Sequence, residues 1–566
     1  MKLSLSILVV GGYGEFGGRI SELLLLDGHT VHVAGRSYSK AVTFTQAKGG
    51  VPKAFDRQLD LAEVVFAEFD IVVDAAGPFQ TYQDSGDGYL LAKRCIEQGV
   101  HYLDLSDDGY FAEGIKCLND QAMAAGCVVL SGVSSTPALS SAVVDQLRDQ
   151  MESLSVIETT ILPGSNAPRG RSVMKSILGQ VGNPMNIWRG CRWVSVSGWS
   201  GSIPVAVSAE EASARKLPVD SRKASFISTP DSVLFPAWFG ADSVLFRAGL
   251  ELEFMHSSLS VLGKLRRIRL LPSLTLLYKP LDYLASAFAD HGTDKGGMVV
   301  AVTGQLHTEE GVEPDFIAIR RTWSLQADPG KGPYVAAAPV RAIINNIARI
   351  KPGARACLSE LPLDDYLHAT REIMATVHSK ETASPVLLQQ VLGSSWLKLP
   401  LAVKKTHLVH DEIELKGRGS VKRGDSIIAR LVATVFRFPA VTADVAVSVI
   451  KRKTAKGEVW IRSFGRHRFQ STLALHSDVN GEECVRERFG LLDFELALEV
   501  SDSTMNMPVN RGWFLGLPIP KIFLPLSYTS EFEYANRMHF DVRLELPFSL
   551  GLLVHYKGYL ASSVYA

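Results

Sequence analysis

The sequence carries no net charge: 59 Lys and Arg residues balance 59 Asp and Glu across 566 residues. With no basic excess to meet a phosphate backbone, nucleic acid is not an expected partner. Cysteine is sparse, with six scattered residues and no C-x-x-C pair. That argues against a zinc site and a disulfide scaffold, so no metal is expected, and it fits a reducing, cytoplasmic setting. No apolar run reaches the roughly 18 residues of a spanning helix. The apolar stretch after Lys2 is short and flows into a Gly-rich turn, so it reads as a strand and not as a targeting segment. Two chemical features are also missing. No Tyr-x-x-x-Lys pair stands where a short-chain reductase needs one, since Tyr89 and Lys93 fall within a helical pattern. No carboxylate ends the second strand.

What is present begins at that first turn. Leu5 to Val10 leads into Gly11-Gly12-Tyr13-Gly14-Glu15-Phe16-Gly17, and a helical pattern follows through Leu26. Gly12, Gly14 and Gly17 have G-x-G-x-x-G spacing, here between a buried strand and a helix. Gly12 is expected to permit the tight turn, Gly14 to let backbone approach a pyrophosphate, and Gly17 to let helix and strand pack closely. Free N–H groups at the helix start then face the phosphate charge. The second strand, Thr30 to Gly35, ends in Arg36 and Ser37, where an NAD site usually has Asp or Glu. A guanidinium suits a 2′-phosphate, because its planar donors make bidentate contacts. The expected cofactor is therefore NADP, with NAD as the alternative.

Three regions follow from the pattern. Residues 1–150 alternate strand and helix in the doubly wound manner. Ligands of such sheets sit beyond the strands' carboxyl ends, which here carry Gly12, Arg36, Gly77, Pro78, Asp104 and Ser131. Residues 151–370 suggest a mixed sheet, with a helix near 339–350 returning to the first region. Residues 385–566 read as mostly antiparallel β, because segments such as Glu458 to Phe464 alternate polar and apolar side chains.

The motifs together resemble the saccharopine dehydrogenase-like NAD(P)-binding oxidoreductases. The residues that carry this are the Gly12–Gly17 turn, Ala34-Gly35-Arg36, Ala75-Ala76-Gly77-Pro78-Phe79, Tyr102-Leu103-Asp104 and Ser134-Ser135-Thr136-Pro137. The resemblance covers roughly the first 370 residues and implies a Rossmann domain with an inserted mixed α+β domain. It places Gly12, Tyr13, Gly14, Glu15, Phe16, Gly17, Arg36, Ser37, Ala76, Gly77 and Pro78 around the cofactor. The remainder is similar to a C-terminal domain of unknown function (DUF4166-like). Gly417 to Val421, Glu458 to Phe464 and Gly516 to Pro520 carry that likeness, and the family supplies no activity for it.

A proton donor should lie near the nicotinamide. The candidates at the strand ends are Asp104 and Tyr102, with Asp107 and Asp108 beyond them. Asp104 is placed first because burial at a strand tip raises a carboxyl pKa, although a helix cap or structural hydrogen bond explains it equally well. Ser165, Asn166, Arg169 and Arg171 form a polar loop that could orient a substrate. Glu458, Trp460 and Arg462 share one strand face, lining either a cavity or a solvent ladder. Leu259 to Phe288, with Lys264, Arg266, Arg267 and Arg269, and the apolar Trp513 to Tyr528 stretch are oilier than solubility requires. They imply an apolar substrate and a peripheral membrane contact, or else buried core or a homodimer interface. The function expected is an NADP-dependent oxidoreductase acting on a small-to-medium apolar carbonyl, imine or enoyl compound. The alternative is a non-catalytic NADP-sensing or lipid-binding protein.

Overall fold

The computed structural model describes residues 4–57, 65–82, 88–168, 170–207, 221–271, 273–288, 291–307, 317–371, 374–436, 438–478, 481–548 and 550–562. The chain forms two compact units. Residues 1–188, 192–302 and 320–382 make the first; residues 189–191, 303–319 and 383–566 make the second.

The first unit is built on a parallel sheet. Its strands are β1 (Ser6–Val10), β2 (Thr30–Gly35), β3 (Val51–Ala54), β4 (Ile71–Asp74), β5 (His101–Asp104), β6 (Val128–Ser131) and Gly353–Ala356. Their order is Gly353–Ala356, β6, β5, β4, β1, β2, β3. The unbroken apolar runs arise because both faces are covered. Ile7, Val9, Val33 and Val73 point into one core, and Leu8, Val10, Val72 and Val129 into the other. The strand order reverses at β1 and β4, which opens a crevice at their carboxyl ends. Helix α1 (Glu15–Leu26) packs against the returning helix Gly332–Asn345. Arg341 clamps Asp27 through two bonds of 2.8 and 2.7 Å, and Tyr334 donates to Glu22 at 2.6 Å. That helix begins earlier than its expected start at residue 339. Pro333 takes the first-turn position that proline fits, and Pro339 lies inside.

A second, nine-stranded sheet is mixed. Ser243–Gly249 runs parallel to Met151–Leu162 and antiparallel to Arg222–Phe226. The strand Met374–Ser384 forms its edge. Helices Glu253–Arg267 and Tyr278–Ala287 come from the Leu-rich, basic segment.

Among the described residues, the second unit holds a thirteen-stranded antiparallel sheet and three short α-helices, Leu387–Leu392, Leu401–His407 and Ile427–Val435. Glu412–Arg423 runs between Thr442–Thr454 and Gly551–Ser562. A Cβ on Gly417 would lie 1.8 Å from the Tyr559 carbonyl oxygen, so only glycine lets these strands cross this tightly. The Trp513 to Tyr528 stretch forms no α-helix, as its prolines require: it holds the end of Val509–Phe514, a short strand at Leu517–Pro518, a single 3₁₀ turn at Lys521–Phe523 and the start of Leu526–Tyr534. The architecture is the expected one: a Rossmann-type α/β sheet, a mixed sheet and an antiparallel β region. Among the described residues no helix is long and apolar enough to cross a membrane.

Candidate functional site

The Gly-rich turn closes the end of β1. The amides of Gly11 and Gly12 donate to the Ala34 carbonyl at 2.8 and 3.0 Å, and Gly14 N–H donates to the Gly11 carbonyl at 2.8 Å. The left-handed residue is Gly11, at φ +77°, one position before the glycine expected to make the tight turn. Gly12 is required for space: its Cβ would stand 2.7 Å from the Val9 carbonyl oxygen. Gly17 is the tightest, since its Cβ would fall 2.2 Å from the Gly11 carbonyl oxygen. No side chain caps the start of α1. Its first-turn N–H groups are thus left for an anion. Glu15 would repel that anion, but Arg19 pairs with it at 2.9 Å.

Tyr13 braces the turn against β2, its hydroxyl accepting from Ser37 N–H at 3.0 Å. Arg36 is exposed and makes no hydrogen bond or ion pair among the described residues. Ser37 caps the next helix through Lys40 N–H at 3.4 Å.

The end of β4 is held by a buried cluster. Asp74 accepts from Ala76 N–H at 3.1 Å, from Tyr102 OH at 3.3 Å and pairs with Arg57 at 2.7 Å. Arg57 lies 3.5 Å over the Tyr82 ring, and Tyr82 OH donates to the Ala76 carbonyl. Burial and the Asp74 charge push Tyr82 up to about 12. This cluster shapes Ala76, Gly77 and Pro78. Arg57 was not read from the sequence, where only an isolated Asp-Arg pair after a short strand marks it.

These elements line one chamber of about 950 Å³. Gly14, Glu15, Phe16, Tyr13, Arg36, Ala76, Gly77 and Pro78 lie on its wall; Gly12, Gly17 and Ser37 lie behind it. The two expected proton donors do not line it. Tyr102 is buried on Asp74. Asp104 Oδ1 accepts from Ser131 Oγ at 2.7 Å, Ser106 N–H at 2.9 Å and Gly132 N–H at 3.0 Å, and burial pushes the carboxyl up to about 6. Its role is to organise the loops after β5 and β6. The nearby helix is capped by Asp108 instead. Asp107 does line the chamber. Burial raises its pKa, against hydrogen bonds from Gln80 and Ser176.

The far end is apolar. Leu178, Trp199 and Phe246 form one wall, and Leu262 and Leu284 from the Leu-rich segment form another. Arg266 is consumed there, donating to the carbonyls of Leu178, Gly179 and Val181 at 3.0 to 3.2 Å. The expected substrate loop is tied down rather than free. Glu251 accepts from Ser165 N–H at 2.7 Å and Thr293 N–H at 2.8 Å, and Asn166 N–H donates to the Thr293 carbonyl at 2.9 Å. Arg169 and the Arg171 side chain lie outside the described residues. Among the described residues no group of His, Cys, Asp and Glu is placed to hold a metal.

Two family models match the chain. Residues 7–130 match the saccharopine dehydrogenase NADP binding domain, and residues 399–560 match a domain of unknown function, DUF4166. No curated protein matches. Among solved structures the chain is similar to apo saccharopine dehydrogenase (L-Glu forming) from Saccharomyces cerevisiae. That likeness has 15% identity and a TM-score of 0.47, over 67% of this chain and 100% of that one. It is also similar to a probable dehydrogenase from Thermotoga maritima, at 10% identity and a TM-score of 0.31, over 64% and 93%.

Proposed function

We propose, for a chain whose residues 7–130 form a saccharopine dehydrogenase-type NADP-binding domain, that the first unit is an NADP-dependent oxidoreductase acting on an apolar carbonyl, imine or enoyl compound. One observation carries this reading: a single chamber is walled by the phosphate turn and Arg36 at one end and by leucines and aromatic rings at the other. The glycine cradle fits the cofactor, because side chains at Gly12 and Gly17 would occupy backbone already in place. The N–H groups opening α1 hold the pyrophosphate, and Arg36 meets the 2′-phosphate. Ala76, Gly77 and Pro78, fixed by Asp74 and Tyr82, bound the space between the cofactor and the apolar end. The cofactor, when bound, supplies or accepts the hydride. Asp107 holds the proton for the substrate's oxygen or nitrogen, since burial keeps its carboxyl protonated further toward neutral pH.

The substrate reaches the chamber from a lipid surface. Over the apolar end, Tyr283 in helix Tyr278–Ala287 and Ile268, Leu270 and Leu276 in the segment joining it to helix Glu253–Arg267 are each 63 to 75% exposed. Exposed Lys264, Arg267 and Arg269 stand beside them.

Titration of NADPH and NADH into the wild-type protein and Arg36→Ala tests the cofactor assignment. NADPH should bind more tightly, and the substitution should weaken it about 10- to 100-fold, the worth of a charge-assisted contact of about 1.5–3 kcal/mol. A wild-type preference for NADH, or unchanged NADPH affinity in the variant, would refute it.

A further inference from the structure

The second unit contains a cavity of its own, about 370 Å³, within the size range of small-molecule sites. Most of its wall is apolar, with Phe438, Phe464, Phe494, Met507 and Leu544 among the contributors. Among the described residues, four ionisable groups other than Tyr556 line it: Lys451, Arg462, Glu487 and Glu531. They compensate one another. Arg462 pairs with Glu487 at 3.0 Å and donates to Ser471 Oγ at 2.7 Å, while Ser471 donates to Glu487 at 2.6 Å. Glu531 is 2.6 Å from His407 Nε2, and Lys451 Nζ is 3.0 Å from His407 Nδ1 and 3.9 Å from the Trp460 ring centroid.

Among the described residues two cations therefore meet two carboxylates, and this cluster offers a ligand no net charge. A carboxylate or ammonium ligand would enter this largely apolar site as an unmatched ion, which is costly. A hydroxyl or carbonyl group can instead share the remaining donors and acceptors of this polar cluster. The cavity's rim is apolar outside as well as inside. Phe523 lines the cavity yet is 55% exposed, and its ring meets that of Phe548 at 5.3 Å. Helix Ile427–Val435 gives Val432 to the wall while Ile427 and Leu431 are 86% and 65% exposed. Such a rim costs solubility, and it spares an apolar ligand contact with water on its way in.

We propose that the second unit is a binding site for one neutral lipid-like molecule bearing a hydroxyl or carbonyl group. Its chain lies among the phenylalanines and its polar end meets the Lys451, Arg462, Glu487 and Glu531 cluster. The inference stands on the second unit alone and does not depend on the redox reading of the first.

The test uses the full-length protein with 11-bromo-1-undecanol and 11-bromoundecanoate, which quench tryptophan fluorescence on contact. Trp460 reports this cavity and Trp199 the chamber of the first unit. The alcohol should quench a component that disappears in Trp460→Phe and persists in Trp199→Phe. It should act at about a tenfold lower concentration than the carboxylate, the discrimination expected for burying an unmatched charge. Glu487→Gln, which uncovers Arg462, should improve bromoundecanoate binding about tenfold and leave the alcohol unchanged. This second variant decides the matter if Trp460→Phe does not fold. Absence of Trp460-dependent quenching by the alcohol, equal binding of alcohol and carboxylate in the wild type, or no gain for the carboxylate in Glu487→Gln would overturn the proposal.

Discussion

The two cavities handle charge in opposite ways. In the first unit's chamber, Arg36 stands exposed with no hydrogen bond or ion pair among the described residues, and an uncapped helix start presents its N–H groups. In the second unit's cavity, among the described residues, Arg462 pairs with Glu487, and Lys451 reaches Glu531 through the His407 ring. An exposed, unmatched cation costs little in water and gains when an anion arrives. A buried one would cost several kcal/mol until then. A site for a charged cofactor can thus keep its unmatched charge on the solvent side, and a site for a neutral molecule must neutralise itself. The chamber's charges therefore bear mainly on binding, and the second cavity's charges mainly on folding.

The largest effect should come from the chamber's backbone. In Gly17→Val the first carbon alone would sit 2.2 Å from the Gly11 carbonyl oxygen, so the turn or the helix must move. NADPH binding, followed by fluorescence titration, should fall at least about 100-fold, since every phosphate-facing N–H shifts together. The second cavity should be untouched, with its bromoundecanol quenching as in wild type. Retained NADPH affinity would mean the turn is not the phosphate site.

Next in size is the converse experiment. Glu531→Ala removes the carboxylate facing Lys451 and His407 and should leave NADPH affinity unchanged. Its expected cost is about 3 kcal/mol in urea unfolding, the lower end for breaking a buried pair. The limit is set by Lys451, which burial already holds down at about 8, so it can shed its proton. The loss should therefore shrink above pH 8. A variant as stable as wild type at pH 7 would show that this pair carries no folding energy.

A buried carboxyl without a cation behaves oppositely with pH. Burial pushes Asp231 up to about 7 from an ordinary 3.8, against hydrogen bonds from Ser140 and Thr159. The folded state then binds a proton the unfolded chain has released. The associated stability is complete below about 3.8 and is lost as pH rises through about 7. Glu531 has the reverse sign. Burial opposes its ionisation, but His407 and Lys451 hold it below the usual carboxylate range, so its contribution fades as pH falls. Asp231→Asn should flatten the decline between pH 4 and 7 and stabilise the protein by ~1–2 kcal/mol at pH 8. An unchanged slope in urea unfolding at pH 5 and pH 8 would show that Asp231 ionises normally.

How much of this was legible depends on how local each cause is. The Gly-rich turn could be read because the backbone itself demands glycine there, although the left-handed residue is Gly11. The two-sided burial of β1 and β4 was visible in their unbroken apolar runs. Asp104 was placed ahead of Asp107 on burial at the strand tip, but Asp107 faces the chamber, because three residues of loop decide which carboxyl does. Arg57 was silent, since its meaning is a pairing with Asp74 seventeen residues on. The alternation of Glu458, Trp460 and Arg462 gave a shared face, and Trp460 and Arg462 do line the second cavity. Glu458 lies beneath, accepting from Trp460 Nε1 at 2.9 Å. That the face curls around a void depends on how far the sheet coils, which alternation does not encode.

The smallest expected effect separates two neighbours that look alike in sequence. Arg266 and Arg267 lie in the same basic run, but Arg266 is spent on three carbonyls inside the first unit. Arg267 is exposed and, with Lys264 and Arg269, stands beside the outward leucines. If this surface meets anionic lipid, each such cation contributes about 1 kcal/mol near the membrane. Arg267→Gln should then weaken flotation with anionic vesicles about fivefold at low salt. The difference should vanish as salt shortens the screening length, and neutral vesicles should not report it. Arg266→Gln should act differently, lowering stability because the part-buried carbonyls of Leu178, Gly179 and Val181 lose the guanidinium that donates to all three. Equal vesicle binding by wild type and Arg267→Gln would remove the electrostatic part of the contact. The exposed leucines and tyrosine would then need a partner that reads apolar surface without charge.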